Sequence, residues 1–233
     1  MAVDKIQRGD FVSLQFTGYN EGKAFDSNVE ADLKQLSSEA KAEPLIVCVG
    51  QGMIVKGFDA ALEGKEVSKE YTIKVSPQEG FGERKRELVK TIPLRQFTEK
   101  KVNPYPGMVL ALDDMLVRII TISGARVIAD FNNPLAGKEL EYRFTVVSIV
   151  QDEREKARAL FSHFVRFVPN FEVNDKVVIK GPKVLEVLVK AFSEKFKSLM
   201  GKELGFIEEE QKAAVSSKDS ASTPQTDQTV TAK

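Results

Sequence analysis

Histidine and cysteine, the residue types that most often carry metal or covalent chemistry, occur once each in the 233 residues, as His163 and Cys48. A lone imidazole has no second histidine to help it hold a metal, and His163 falls in a helical stretch where a structural or surface role is the plain reading. Cys48 stands inside an apolar strand run, which predicts a buried, unreactive thiol. With no second cysteine, neither an intramolecular disulfide nor a Cys-rich metal knuckle can be built, and a reducing compartment fits best. Gly50-Gln51-Gly52 begins like a dinucleotide loop, but it lacks the third glycine and opens no long helix. No catalytic triad, metal cluster or phosphate loop stands out. The remaining notable residues are aromatic, and by composition alone Phe16, Phe25, Phe58 and Phe81 read as ordinary core.

Charge narrows the classes further. The 34 basic residues balance the 34 acidic ones, so nothing electrostatic calls for a nucleic acid or an anionic membrane. No apolar run approaches the roughly 18 residues of a membrane span, and residues 1–10 lack the apolar core of a secretory signal. The expectation is a cytoplasmic protein with no metal, no cofactor, no nucleic acid and no membrane partner.

The elements that would position any site follow from hydrophobic periodicity. Residues 11–16 and 71–75 alternate, 45–49 are continuously apolar, and Gly57 to Gly64 places Phe58, Ala61 and Leu62 at helical spacing. An antiparallel sheet with one short helix on its face is predicted. Between its strands, Asn28 to Glu43 reads as a polar excursion with one helical turn, placed to flap over a site. Prolines 93, 104 and 106 then break the pattern, and three short strands over 108–112, 115–122 and 125–131 form a β-meander joined by Asp113-Asp114 and Ser123-Gly124. After loop residues 132–137, the run 140–150 is a strand assigned to the first sheet, which makes 84–131 an insertion. Beyond it, Leu160, Phe161, Phe164 and Val168 mark one helix face and 176–179 a strand. Leu185, Leu188, Phe192, Phe196 and Leu199 mark a second helix stopped by Gly201, and 205–207 a closing strand. From about Lys212 the composition predicts disorder.

Several phrases in fixed order carry a resemblance: Gln15-Phe16-Thr17-Gly18, Gly22-Lys23-Ala24-Phe25-Asp26-Ser27, Val49-Gly50-Gln51-Gly52-Met53-Ile54-Val55-Lys56-Gly57-Phe58, and Val75-Ser76-Pro77 leading to Gly80-Phe81-Gly82. Together they resemble the FKBP family of prolyl isomerases. The sheet inserted after Phe81-Gly82, followed by Phe131-Asn132-Asn133-Pro134-Leu135-Ala136-Gly137-Lys138, is similar to the SlyD-type subgroup, whose inserted flap binds unfolded chains. The added C-terminal unit is similar to the long archaeal form. The resemblance implies an α+β protein: an FKBP-like curved antiparallel sheet around a short helix over 1–83 and 132–150, an inserted small β domain over 84–131, a C-terminal α+β domain over 151–208 and a disordered tail over 209–233.

By the same resemblance, Asp26, Phe58, Phe81 and Tyr142 are the catalytic residues, and Phe16, Phe25, Leu45, Ile54 and Val55 bind substrate. Phe58 would floor the pocket, and the backbone N–H of Ile54 or Val55 would donate to a bound carbonyl. Phe16 and Phe81 stand where the family usually has tyrosine, so macrolide inhibitors are expected to bind weakly. The implied activity is cis/trans isomerisation of X-Pro bonds in unfolded or nascent polypeptides, with chaperone activity from the flap. A weakly catalytic holdase is the alternative. The X-Pro barrier of about 18–20 kcal/mol reflects lost amide resonance, so an apolar cup that favours the twisted amide needs no nucleophile or metal.

Overall fold

In the computed structural model of the chain, the described residues are 5–36, 42–112 and 115–209. The first long strand, β1 (Phe11–Asn20), sends Val12, Leu14 and Phe16 to one face of the sheet. Hairpin partner β2 (Lys23–Ser27) and, after helix α1 (Glu30–Gln35), the short β3 (Leu45–Cys48) both pair antiparallel with β1. Helix α2 (Lys56–Leu62) packs Phe58 and Leu62 on the sheet face, and β4 (Glu70–Val75) follows. The polar excursion thus holds one short helix, and its residues 37–41 lie outside the described residues.

Four further strands and a helix form a sheet of their own: β5 (Val89–Pro93), α3 (Leu94–Glu99), β6 (Val109–Leu112), β7 (Met115–Ser123) and β8 (Arg126–Asp130), in the order β5-β8-β7-β6. Sequence reading expected three strands here and took Pro93 as a break. Pro93 instead closes β5, an edge strand bonded only to β8, where a missing N–H need not disturb a ladder. The Asp113-Asp114 turn lies outside the described residues. Val117, Ile119, Val127 and Ala129 bury one face of this sheet over Phe97.

The chain then returns as β9 (Leu140–Ile149), which lies between β1 and β4 and completes a five-stranded sheet in the order β2-β1-β9-β4, with β3 also on β1. The two crossings between the sheets are tied side by side. Arg84 donates to Asp130 Oδ2 at 2.6 and 3.0 Å, the Asn132 side chain exchanges hydrogen bonds with the Lys85 backbone at 2.8 and 2.9 Å, and Gly137 N–H reaches Gly82 O at 2.8 Å. Burial would raise the Asp130 carboxyl, but the Asn132 side chain and backbone N–H, which donate to its Oδ1 at 2.6 and 3.0 Å, and after them Arg84 hold it below its ordinary value.

Past β9 come α4 (Glu153–Val165), β10 (Asn170–Val173), β11 (Val177–Gly181), α5 (Glu186–Met200) and β12 (Leu204–Glu208). Asp152 caps α4 by accepting the Glu155 N–H at 2.9 Å. The helix ends at Val165, so Val168 is not on its face as the periodicity predicted; it is a half-exposed loop residue. Strand β10, unread in the sequence, pairs antiparallel with β11, and β12 pairs parallel to β11. The core of this unit is shared: Phe11, Cys48 and Val150 from the back of the first sheet cluster with Leu160, Phe161 and Phe196. That is why the first four residues of β1 are buried on both faces. Enclosure there, with the charges of Asp59 and Asp10 adding to it, pushes the Cys48 thiol up to about 11, so the thiol stays protonated. No helix among the described residues is long and apolar enough to cross a membrane. The stretch predicted to be disordered, from Lys212 on, lies outside the described residues.

Candidate active site

Phe25 and Asp26 are neighbours on one strand, so a regular pleat would send them to opposite faces. The pairing of β1 with β2 slips between Gly18 and Tyr19, so that Gly18 faces Asp26 and Tyr19 faces Ala24, with Phe25 as the extra residue. A bulge of this kind re-aims a side chain. Phe25 turns over Gly18, where a Cβ would meet its ring at 2.6 Å, and Asp26 stays in the same row. Behind them, Ser27 is buried against Thr17, oxygen to oxygen 2.8 Å, and Thr17 also donates to Asp32 of α1 at 2.5 Å. This polar lock fixes β2 and hence the carboxylate beside it.

The aromatic wall is continuous. Phe58, 1% exposed, stacks on Tyr142 with ring centres 4.8 Å apart and meets Phe16 edge-on at 5.8 Å. Tyr142 meets Phe25 edge-on at 5.9 Å, and Phe25 meets Phe81 edge-on at 6.5 Å. Phe16, Phe58 and Tyr142 are buried, Phe25 is half-buried and Phe81 is exposed at the end of the series. The wall therefore runs from a buried floor at Phe58 to an open rim at Phe81. Asp26 is exposed, yet desolvation beside the rings raises its carboxyl above its ordinary value, with the Ser27 backbone N–H partly opposing. Burial first, and the Asp26 charge second, push the Tyr142 hydroxyl up to about 12.

Ile54 and Val55 pack against this cluster at the start of α2. Among the described residues their N–H groups have no backbone acceptor. The turn before them is held by a residue that sequence reading missed. Buried Asp59, on α2, accepts the N–H groups of Gly50 and Gly52, each at 2.8 Å, and both glycines have positive φ, 76° and 67°. The glycine pair considered as a dinucleotide loop thus anchors its own helix, and the signal was an acidic residue one turn into α2. Leu45 stands apart: it pairs with Leu14, is 38% exposed and does not join the aromatic cluster. It borders a cleft of about 910 Å³ against α4, on which His163 also lies. Burial and the nearby Arg166 charge lower the His163 pKa. Among the described residues no group of three or more His, Cys, Asp or Glu side chains is arranged to hold a metal ion.

Comparison with known proteins agrees with this architecture. Residues 3–96 match the family described as FKBP-type peptidyl-prolyl cis-trans isomerase, and residues 90–135 match that described as FKBP26, IF domain. A short-type peptidyl-prolyl cis-trans isomerase of Methanocaldococcus jannaschii is 31% identical over 156 residues, covering 66% of this chain and 99% of that relative. The FKBP-type isomerase SlyD of Haemophilus influenzae is 30% identical over 127 residues, 48% of this chain and 62% of the relative. SlyD of Aeromonas hydrophila is 28% identical over 148 residues, 62% and 65% of the two chains. This chain therefore spans less than two thirds of the length of these two SlyD proteins. It belongs to the FKBP-type peptidyl-prolyl cis-trans isomerases, with the segment similar to the FKBP26 IF domain inserted between the strands of its isomerase fold.

Proposed function

We propose that this isomerase acts on X-Pro bonds of unfolded and refolding proteins, using the aromatic pocket for the chemical step and the inserted sheet to hold the chain. The observation that carries the reading is the pairing of two apolar surfaces. One is the ring series from Phe58 to Phe81, with Asp26 beside it. The other is the open face of β6 and β7, where Val109, Leu116 and Ile120 are 56%, 61% and 40% exposed. They border a cleft of about 630 Å³ that Asn133, Pro134 and Lys138 of the isomerase fold close on its other side. A four-stranded sheet with one face on Phe97 leaves the other uncovered, and such a surface is an interaction site.

Rotation about an amide breaks no bond, so the roles are positional. Phe58, Phe16 and Tyr142 would take the proline ring out of water, Phe25 and Phe81 would close its side, and the Ile54 or Val55 N–H would fix a carbonyl. An acceleration of about a thousandfold requires only about 4 kcal/mol of preference for the twisted form. Val89 and Asp130 are cross-strand partners, so a short Gly/Ser loop can replace residues 90–129 and keep the Arg84–Asp130 tie. Isomerisation of an Ala-Pro peptide by that variant should fall no more than a few-fold. Its catalysis of proline-limited refolding should fall about ten- to a hundredfold, because the chain is no longer held near the pocket. Equal losses in both assays would mean that the insert merely supports the pocket; equal retention would mean that clients are captured elsewhere.

A further inference from the structure

The pocket is short of hydroxyls where its aromatic wall is concerned: Phe16, Phe25, Phe58 and Phe81 have none, and Tyr142 alone carries one. Register explains where that hydroxyl is held. Asp26 faces Gly18 across β2 and β1, and Gly18 faces Tyr142 across β1 and β9, so the three residues form one row on one face. A Cβ at Gly18 would stand 3.0 Å from Tyr142 Cε1. The tyrosine ring therefore leans across β1 into space that any other residue at position 18 would fill, toward the strand that carries Asp26. Stacking on Phe58 at 4.8 Å and the Phe25 edge at 5.9 Å fix its plane. Although the residue is only 3% exposed, no described group is hydrogen-bonded to its hydroxyl. Among the described residues the only sealed, unpartnered side-chain polar atom is Asn20 Oδ1, so the Tyr142 hydroxyl is not sealed off and keeps a small exposed surface.

We propose that the Tyr142 hydroxyl is the side-chain hydrogen-bond donor of this pocket, held over Gly18, and that its acceptor is the carbonyl of the substrate proline itself. This assignment rests on the pocket proposed above. The choice of carbonyl follows from amide electronics. Twisting the X-Pro bond withdraws resonance, and with it negative charge, from the acyl oxygen of the preceding residue. A donor to that oxygen would hold the planar form back. The carbonyl of the proline stays with the ring while the acyl group turns, so a donor to it anchors ground state and transition state alike. Beside ionised Asp26, Tyr142 remains a neutral donor across the working pH range.

Such an anchor is read in KM rather than kcat. The test compares an Ala-Pro peptide with the same peptide in which the carbonyl of proline is reduced to a methylene. Tyr142→Phe keeps the ring and its stacking; KM for the parent peptide should rise about three- to tenfold, with kcat within about twofold. The reduced peptide, which lacks the acceptor, should bind both proteins equally. An unchanged KM for Tyr142→Phe overturns the proposal, and so does an equal loss with both peptides. Phe81→Ala, at the exposed rim, separates this from failure of the pocket itself. A loss of about tenfold or more there, with Tyr142→Phe unchanged, removes only the hydroxyl's role. Wild-type kcat/KM in Phe81→Ala means the pocket lies elsewhere, and the donor assignment falls with it.

Discussion

Phe58 belongs to the pocket and to the core at once, so its removal must show in two independent measurements. Its ring is 1% exposed and lies 4.8, 4.9 and 5.8 Å from the rings of Tyr142, Phe144 and Phe16. Phe58→Ala should destabilise the protein by about 3–5 kcal/mol, the usual sum of lost transfer energy and residual cavity. With about 2–4 °C per kcal/mol for a chain of this size, Tm should drop by about 6–20 °C. A stability of about 5–15 kcal/mol leaves the variant folded at 25 °C in most of that range. Under those conditions kcat/KM for an Ala-Pro peptide should be at least about tenfold lower, about 1.4 kcal/mol in the barrier. Phe144→Ala is the control: that ring is equally buried but packs behind the floor, against Tyr71 at 5.6 Å. It should cost comparable stability and change kcat/KM by less than about threefold. Thermal melts by circular dichroism, with peptide kinetics on the same samples, decide the matter. If both variants lose activity equally, Phe58 acts through the core alone; if Phe58→Ala keeps wild-type kcat/KM, it is not the floor.

Asp26→Asn should separate stability from activity. Because desolvation raises the folded carboxyl above 3.8, the ionised form is disfavoured on folding. The group therefore costs stability as pH rises through its folded value and costs nothing once protonated. The variant should melt higher than the parent at pH 7 and equally near pH 3, while losing at least about tenfold in kcat/KM at pH 7; a Tm difference that ignores pH would refute this. Ending the chain at Val150 should expose Phe11 and Val150, which now sit in the shared cluster with Leu160 and Phe196. Two such side chains are worth about 3–6 kcal/mol, so urea midpoints should fall and light scattering should report association. An unchanged midpoint would mean that the C-terminal unit only rests on the sheet.

Much of this architecture was legible in the residues. The alternation of Val12, Leu14 and Phe16, the helical spacing of Phe58 and Leu62, and the run from Leu188 to Leu199 each state a local period, and a local period needs no partner to be read. The ordered phrases around Asp26, Phe58 and Phe81 carried the family. Tertiary structure decided what periodicity does not encode. A bulge put Phe25 and Asp26 on one face although pleating alone would divide them. The empty side of Gly18 became the place where Tyr142 leans, and only the return of β9 beside β1 brings those two together. Edge position turned Pro93 from a break into a strand end, and the back of β1 was buried by helices that begin at residue 153. Sequence fixes which residues are apolar and how often they recur; register, bulges and long-range docking depend on pairings between segments far apart in the chain, and those settle which side chains meet.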